Sequence, residues 1–444
     1  MSISPFDSAL YRDLFTDRET SKLFTDSAEI RALLLVEGAL AKAQGALGII
    51  PAAAGDAIHR ASLEVQIDPS ALSADTGRNA VPIPALVAAF RAEIGDRDAA
   101  QYVHWGATSQ DIVDTGLILR LRQALVRMEG EISRLCKALS VHARRHAETP
   151  MAGRTYGQRA TPTSFGMVAA GWGHPFLAHL DRLDQLRTRL LTVSLSGAAG
   201  TGAALDPELP ALREALAEAL GLAAPHASWH SQRDRIAELA GWLTLVAGSA
   251  GKLGEDLILL TQTEIAEISL AAAGASSTMP QKQNPVGPSV LVALARHVAA
   301  LNTAMQGAML HRQERDGAAW LCEWLSLPAM VAGAAKALAL AADLAETLTP
   351  DTARMAANIA DPLELIHAEA YSFLLAERIS RPEAQSAIKA LCDEAQTSGA
   401  PLGDLVARDF PDLDPAAARD PRRALGHAPA EARAYAAAAD RRFS

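Results

Sequence analysis

Two stretches of the chain carry apolar residues at alternating steps of three and four. This heptad pattern predicts long α-helices with a single apolar seam each. Asp114 or Thr115 could cap the first of these helices. At about 1.5 Å per residue they would be roughly 35–50 Å long, so we predict a central long-helix bundle. The seam positions are Ile118, Leu121, Leu125, Met128, Ile132, Leu135 and Leu139 in the first stretch, and Ile236, Leu239, Leu243, Val246, Ala250, Leu253, Leu257 and Leu260 in the second.

Proline-containing segments flank these seams. A third helix is predicted after Pro288, from Ser289 to about Met309, and the break Thr349-Pro350-Asp351 opens a final segment. Because proline interrupts a helix, the first hundred residues are predicted to form short helical pieces. Those prolines are Pro51, Pro69, Pro82 and Pro84, and the helical patterns of the final segment lie around Leu363–Leu375, Pro382–Asp393 and Ala430–Ala439.

These patterns predict an all-α fold of three helical domains. We place the domains at residues 1–105, 106–348 and 349–444, with the long-helix bundle in the middle one. Heptad seams that stay exposed on long helices would pair with another copy of the chain. A homo-oligomer is therefore expected.

Composition narrows the class of protein further. Aromatic residues make up only 5% of the 444 residues, and the chain is rich in alanine, which disfavours an all-β fold. A net charge of −10 disfavours nucleic-acid binding, so an anionic substrate would need a few local cations. Three widely spaced cysteines, the lack of a signal-peptide pattern and the lack of a long apolar run predict a cytoplasmic protein outside the membrane.

Three polar segments interrupt the helical plan and are the candidates for chemistry. His104–Asp111 reads HWGATSQD and precedes the first long helix, where hydroxyls and free backbone N–H groups could bind an anion. Gly153–Thr163 reads GRTYGQRATPT and brings two arginines and several hydroxyls into a non-helical stretch. Gly274–Pro285 reads GASSTMPQKQNP, a loop with hydroxyls, one lysine and one amide.

Together the three segments resemble the active-site regions of the fumarase/aspartase superfamily, and GASSTMPQKQNP resembles its signature loop. The order and spacing agree over essentially the whole chain. The resemblance implies three helical domains and a homotetramer with a twenty-helix core. It also implies active sites built from loops of three subunits, a small-molecule substrate and no cofactor or metal.

The same resemblance implies roles for individual residues. Ser276 would carry a proton to or from the carbon next to a carboxylate, and Lys282 and Asn284 would hold the extra negative charge that this carboxylate acquires. Thr108, Ser109 and Thr155 would bind other carboxylates of the substrate. The weaker candidates for the pocket are His104, Arg154, Tyr156, Arg159, Trp229, His230, Arg315 and Trp320.

One departure from the superfamily pattern has a chemical explanation. Amine-expelling members usually have a histidine where this chain has Tyr156, oriented by a glutamate where it has Ser289, seven positions after Lys282. An expelled amine needs a proton from a general acid. A carboxylate, with an ordinary pKa near 4, leaves as a stable anion.

The loss of this pair favours the members that add a carboxylate across a double bond to close a lactone from a tricarboxylate. The stretches QYVHWGATSQDIVDT, SWHSQRDRIAELA and HRQERDGAAWLCEWLSLPAM also resemble that branch. The alternatives are adenylosuccinate lyase or another amine-expelling lyase, and a non-catalytic homologue that keeps the fold.

Two other patterns have a structural interpretation. His142 and His146 are spaced like a metal pair, but no third ligand follows, so a solvated helix face is the preferred interpretation. Residues 196–202 are glycine-rich but lack the Gly-Lys-[Ser/Thr] ending of a phosphate-binding loop, and they resemble a structural turn of the superfamily.

Overall fold

The computed structural model describes residues 3–272, 274–275 and 278–444, with only the backbone of Ala417. Its α-helices are α1 (Arg12–Phe15), α2 (Arg18–Lys22), α3 (Asp26–Ala46), α4 (Ala52–Glu64), α5 (Pro69–Asn79), α6 (Ile83–Glu93), α7 (Arg97–Ala100), α8 (Ser109–Arg145), α9 (Phe165–Leu190), α10 (Leu209–Leu220), α11 (Asp234–Leu260), α12 (Val286–Gly307), α13 (Gly317–Thr347), α14 (Thr352–Ile359), α15 (Ala368–Ala376), α16 (Arg381–Ser398), α17 (Leu402–Asp409), α18 (Ala416–Arg419) and α19 (Ala428–Phe443). The strands are β1 (Pro150–Thr155), β2 (Gln158–Ser164), β3 (Ile268–Ser269), β4 (Gly274–Ala275), β5 (Gln283–Asn284) and β6 (Thr349–Pro350).

The predicted all-α fold class is confirmed. In the part of the chain that is described, the strands form only three two-stranded antiparallel sheets, β1 with β2, β3 with β6, and β4 with β5. The chain clusters into two compact units. The first comprises residues 1–131, 179–248 and 293–339, and the second comprises 132–178, 249–292 and 340–444. The three predicted domains stay a prediction.

The heptad seams correctly located two of the long helices, α8 and α11. Every seam residue is buried, from Ile118 in α8 to Leu260 in α11. The expectation that these seams stay exposed to pair with another copy is therefore wrong, because side chains of the same chain already cover them. The seams alone give no argument for an oligomer.

The predicted start of the first long helix is also wrong. Helix α8 begins earlier than expected, at Ser109. Asp114 and Thr115 do not cap it, because both lie within the helix beyond its first turn, where their side chains are buried. Asp114 binds the guanidinium of Arg233, and the Thr115 hydroxyl donates to the carbonyl oxygen of Ser194 at 3.1 Å.

In the first unit, α3 packs against α4 around a core that includes Leu33, Ile58 and Phe90. Helix α3 is longer than the short pieces predicted for this region, because no proline occurs between its cap at Thr25 and Pro51. The two helices approach closely at Gly55, where a Cβ atom would lie 2.6 Å from the carbonyl oxygen of Ala41. A larger residue there would force the helices apart.

The second unit contains the β1–β2 hairpin and a core of C-terminal helices built on α15, α16 and α17. The preferred interpretation, in which His142 and His146 lie on a solvated helix face, is wrong. His146 is buried and His142 is half-buried, and both rings contact Phe165. The cause is that α8 turns this face toward α9 rather than toward water, and burial lowers the pKa of both imidazoles.

The third predicted helix and the helices of the final segment lie close to their predicted positions, whereas α9, α10 and α13 were not predicted. Helix α12 begins slightly before the predicted Ser289, and α16 and α19 extend beyond the patterns that located them. Among the described residues, α13 alone is long and apolar enough to cross a membrane, yet 67% of its most apolar window is buried inside the protein. Core helices of soluble proteins commonly have this property.

Candidate active site

The first group of candidate residues lies at the start of α8 and is organised by the buried carboxylate of Asp111. The backbone N–H of Thr108 donates to this carboxylate at 3.0 Å, and the N–H groups of Ser196 and Gly197 donate at 2.8 and 3.0 Å. His230 Nε2 lies 2.7 Å from Asp111 Oδ1. One carboxylate thus fixes the start of α8, the glycine-rich turn and His230.

Arg315 is the cation of this group. Its Nε donates to the side-chain oxygen of Gln110 at 2.8 Å, and its Nη2 donates to Thr108 Oγ1 at 3.3 Å and to the carbonyl oxygen of Ala198 at 3.1 Å. Each of these acceptors is neutral, and Arg315 forms no ion pair within the described residues. The side chain is exposed. Its positive charge is therefore available to an anionic ligand beside the Thr108 hydroxyl.

A buried ion cluster lies behind this cation. The guanidinium of Arg233 binds Asp114 at 2.7 and 3.1 Å and Glu323 at 2.8 and 2.6 Å. Two carboxylates share one arginine, and burial raises the pKa of Glu323 despite the opposing effect of Arg233. The indole N–H of Trp320 donates to Asp114 at 3.3 Å, so the polar atom of this candidate is already bound within the cluster.

Two other candidates of the first unit have defined partners. His104 Nδ1 lies 2.7 Å from Oε1 of the buried Glu37. Burial of the imidazole opposes protonation, but the hydrogen bond and the charge of Glu37 outweigh it and raise the pKa of His104. Trp229 is buried and donates its indole N–H to the carbonyl oxygen of Val193 at 2.9 Å. Ser109 is half-buried as the first residue of α8.

The second group of candidates is carried by the β1–β2 hairpin. Its two-residue turn, Tyr156–Gly157, has positive φ at both positions, 51° and 75°, as a hairpin twisted in the usual sense requires. The side chains of Thr155 and Tyr156 are exposed at this turn. Arg159 is exposed as well and donates to the carbonyl oxygen of Asn358 at 3.2 Å.

Arg154, near the turn of the same hairpin, is held by an acid. Its Nη1 and Nη2 donate to the two carboxylate oxygens of Glu267 at 2.9 and 2.8 Å. Glu267 is fully buried and also accepts from Asn358 Nδ2 at 2.9 Å. The charge of Arg154 is thus neutralised inside the chain, which disfavours its predicted place in the substrate pocket and favours a role in anchoring the hairpin.

The signature loop is bracketed by the short β4–β5 ladder, in which Gly274 pairs with Asn284. The side chain of Lys282 is exposed and that of Asn284 is half-buried. Both line a cleft of about 660 Å³, together with residues 261–264, which follow α11. Ser276, the predicted proton carrier, lies outside the described residues.

Among the predicted site residues, Thr108 and Arg315 are in contact in the first unit, and Ser109 begins the adjacent helix. Lys282 and Asn284 line one cleft in the second unit.

The sequence interpretation missed Asp111, Gln110, Arg233 and Glu267. Asp111 and Gln110 lie inside the HWGATSQD segment. A signal for them was therefore present, whereas nothing local marks Glu267.

Comparison with known proteins identifies the family of this chain. A family model described as Lyase matches residues 7–300. The chain belongs to this lyase family, and its structural neighbours are members of the fumarase/aspartase superfamily, among them the solved structure of a fumarate lyase from Mesorhizobium sp. BNC1, with a TM-score of 0.89 and 36% sequence identity over 95% of this chain and 98% of that chain.

More specific similarities point to one branch of the family. A Pseudomonas aeruginosa protein named 3-carboxy-cis,cis-muconate cycloisomerase is 43% identical over 381 residues, covering 84% of this chain and 82% of that protein. A Pseudomonas putida protein of the same name is 40% identical, covering 87% of this chain and 93% of that protein. The crystal structure of the 3-carboxy-cis,cis-muconate lactonizing enzyme from Pseudomonas putida superposes with a TM-score of 0.91 and 37% sequence identity, covering 98% of this chain and 100% of that chain.

Proposed function

We propose that this protein is a 3-carboxy-cis,cis-muconate cycloisomerase. It adds a carboxylate of its substrate across a double bond of the same molecule and forms 4-carboxymuconolactone, a step of protocatechuate breakdown. The observation that carries the proposal is the extent of the similarity, in which relatives with this activity in their names are 40–43% identical over most of both chains.

The candidate site supports lactonisation over amine expulsion. Tyr156 is fully exposed at the hairpin turn, and the Ser289 hydroxyl donates to the carbonyl oxygen of Pro285 at 2.9 Å. Tyr156 and Ser289 therefore do not form the pair in which a glutamate orients a histidine as the general acid. The attacking carboxylate is ionised at neutral pH and needs no base, and in reverse it leaves as an anion and needs no acid.

The remaining chemistry is a single proton transfer. As the carboxylate oxygen bonds to one carbon of the double bond, the Ser276 hydroxyl gives its proton to the neighbouring carbon, and solvent returns a proton to the serine. A serine alkoxide is unstable in water, so the site must stabilise negative charge. Lys282 and Asn284, which share a cleft, hold the carboxylate next to the protonated carbon.

The other substrate carboxylates are assigned to the first group of residues. The Thr108 hydroxyl and the unneutralised guanidinium of Arg315 form one anion-binding pair. Ser109 and Thr155 supply further hydroxyls for the carboxylates. We propose that the protein acts in the cytoplasm as a homotetramer whose active sites are shared between subunits.

Two substrates decide between this function and its nearest alternative. Purified protein is mixed with 3-carboxy-cis,cis-muconate, and the loss of diene absorbance is followed. Adenylosuccinate is tested in parallel. We expect lactonisation without adenylosuccinate cleavage. Cleavage of adenylosuccinate without lactonisation would overturn the proposal, and turnover of neither substrate would favour a non-catalytic homologue.

The role of Ser276 is tested in the same assay. Ser276→Ala should lower kcat on the order of a hundredfold or more if the hydroxyl is the proton carrier. Ser398→Ala is a matched control, since Ser398 is exposed at the end of α16. Near-normal turnover of Ser276→Ala would remove this serine from the reaction.

A further inference from the structure

Gln110 is a fully buried amide behind the exposed cation of the site. Its Nε2 donates to Asp114 Oδ2 at 3.2 Å and to the carbonyl oxygen of His230 at 2.9 Å. Its Oε1 accepts from Arg315 Nε at 2.8 Å. The amide nitrogen of Gln110 thus binds two acceptors, and its oxygen binds one donor.

These partners fix which way the amide faces. Both groups next to Nε2 can only accept a hydrogen bond there, because one is a carboxylate held by Arg233 and the other is a backbone carbonyl. A flipped amide would set its oxygen against these two acceptors. The oxygen of Gln110 must therefore face Arg315.

A neutral acceptor at this position has a specific consequence. It holds the guanidinium of Arg315 at a fixed angle, with Nη2 on Thr108 Oγ1, and it leaves the positive charge uncompensated. A carboxylate in place of the amide would hold the arginine equally well but would neutralise it, as Glu267 neutralises Arg154.

We propose that Gln110 is a positioning residue that orients Arg315 toward a substrate carboxylate while keeping its charge available. The inference rests on the proposed function for the identity of that carboxylate. Gln110 itself does not touch the substrate. It acts through Arg315, and the Asp114–Arg233–Glu323 cluster holds the amide in place from behind.

The proposal predicts a pH-dependent phenotype for Gln110→Glu. A protonated glutamic acid can keep the contact with Arg315, because its C=O accepts from the guanidinium while its single O–H donates to Asp114, and only the bond to the His230 carbonyl is lost. The ionised form repels Asp114 and neutralises Arg315. The KM of this variant relative to that of the wild type should therefore rise with pH, by roughly tenfold or more between its protonated and ionised forms.

The test measures KM and kcat for 3-carboxy-cis,cis-muconate between about pH 5.5 and 9, as ratios to the wild type, so that titration of the substrate cancels. Gln110→Met, which has no polar group, should raise KM about tenfold at every pH with kcat within about threefold of the wild type. Gln306→Glu is the matched charge control, because Gln306 is an exposed amide of the same unit.

A flat KM ratio near one for Gln110→Glu would overturn the proposal, as would a loss of kcat and thermal stability with KM unchanged. If either Gln110 variant fails to fold, Arg315→Lys provides the second route. Lysine keeps the charge but lacks the fork that Gln110 and Thr108 hold, so KM should rise about tenfold. An Arg315→Lys variant that matches the wild type would contradict the inference.

Binding of tricarballylate, a saturated tricarboxylate, separates this inference from the proposed function. If the wild type binds tricarballylate and Gln110→Met binds it about tenfold more weakly, the positioning role stands even without lactonisation. If the wild type lactonises its substrate and Gln110→Met binds tricarballylate equally well, the function stands and the positioning role fails. If the wild type binds no tricarboxylate, the carboxylate site at Arg315 is wrong.

Discussion

Arg315 and Arg154 were predicted for the same task, yet their surroundings differ in one decisive respect. Arg315 is held by an amide oxygen, a hydroxyl and a backbone carbonyl, all of them neutral. Arg154 is held by both oxygens of the buried Glu267. The first arginine keeps its charge for a ligand, and the second uses its charge to hold the chain together.

The difference shows that the hydrogen-bond acceptors around an arginine decide whether its charge is available to a ligand. A chain with a net charge of −10 has many acids that can neutralise its cations. An arginine without an acidic partner is therefore a better candidate for substrate binding than an arginine identified from the sequence alone. Each of the following experiments tests this distinction or sharpens it.

The largest effect is expected at Glu267. Glu267→Ala should lower the free energy of unfolding by about 3 kcal/mol, because it leaves the largely buried Arg154 without its counter-charge. Urea denaturation measures this loss. Glu369→Ala, which removes an exposed acid of the same unit, should stay within about 0.5 kcal/mol of the wild type. Equal stability of the two variants would show that the Arg154 pair does not anchor the hairpin.

Arg315→Ala should show the opposite balance. Losing a charge-assisted contact with a substrate carboxylate should lower kcat/KM by about a hundredfold, with the free energy of unfolding lowered by no more than about 1 kcal/mol for the hydrogen bond to Gln110. Arg312→Ala is the matched control, because this neighbouring exposed arginine is paired with Asp316. If both variants lose the same activity, the loop rather than the free charge matters.

A smaller effect is expected at the turn of the hairpin that Arg154 anchors. Gly157 has a φ of 75°, and among the described residues no atom beyond its own chain neighbours lies within 4 Å of the place where a Cβ would stand. Gly157→Ala therefore meets only backbone strain and should cost about 1 kcal/mol of unfolding free energy. An alanine variant as stable as the wild type would contradict the left-handed conformation of this residue.

The smallest effect is expected at His104, which lies in the same unit as Arg315. Here the carboxylate of Glu37 raises the pKa of the imidazole. The pKa of His104 should lie above its ordinary 6.5, and Glu37→Gln should lower it because only the more distant charge of Asp111 then opposes the effect of burial. NMR titration of the imidazole measures both values. A pKa that is unchanged by Glu37→Gln would reject the contact as its cause.

The sign of the linked stability effect follows from this shift. Because the folded state binds the proton more tightly, the His104–Glu37 contact stabilises the fold fully below about pH 6.5 and is lost as pH rises through the raised pKa. The stability difference between the wild type and Glu37→Gln should therefore shrink toward high pH.

The sequence predicted the fold class and the long helices because heptad spacing reports burial directly, as the buried run from Ile118 to Leu139 illustrates. It could not predict which partner each polar residue would find. Asp111 meets His230 across 119 positions, and Arg154 meets Glu267 across 113. No local pattern encodes such pairs, so the two arginines could not be told apart before the structure was known.

The chemistry of the site was more accessible than its geometry. The resemblance identified the signature loop and the absence of a general acid at Tyr156, both of which are matters of residue identity. The start of α8 was misplaced because Asp114 looked like a capping residue. Its carboxylate instead neutralises the buried Arg233 together with Glu323.

Lactonisation in D₂O is the sharpest test of the proposed reaction. We expect that 3-carboxy-cis,cis-muconate loses its diene absorbance and yields a lactone that carries one solvent-derived deuterium, on a carbon next to a carboxylate. A product without deuterium would contradict the proton-transfer chemistry. A substrate whose diene absorbance persists, under conditions where the protein is folded, would contradict the function itself.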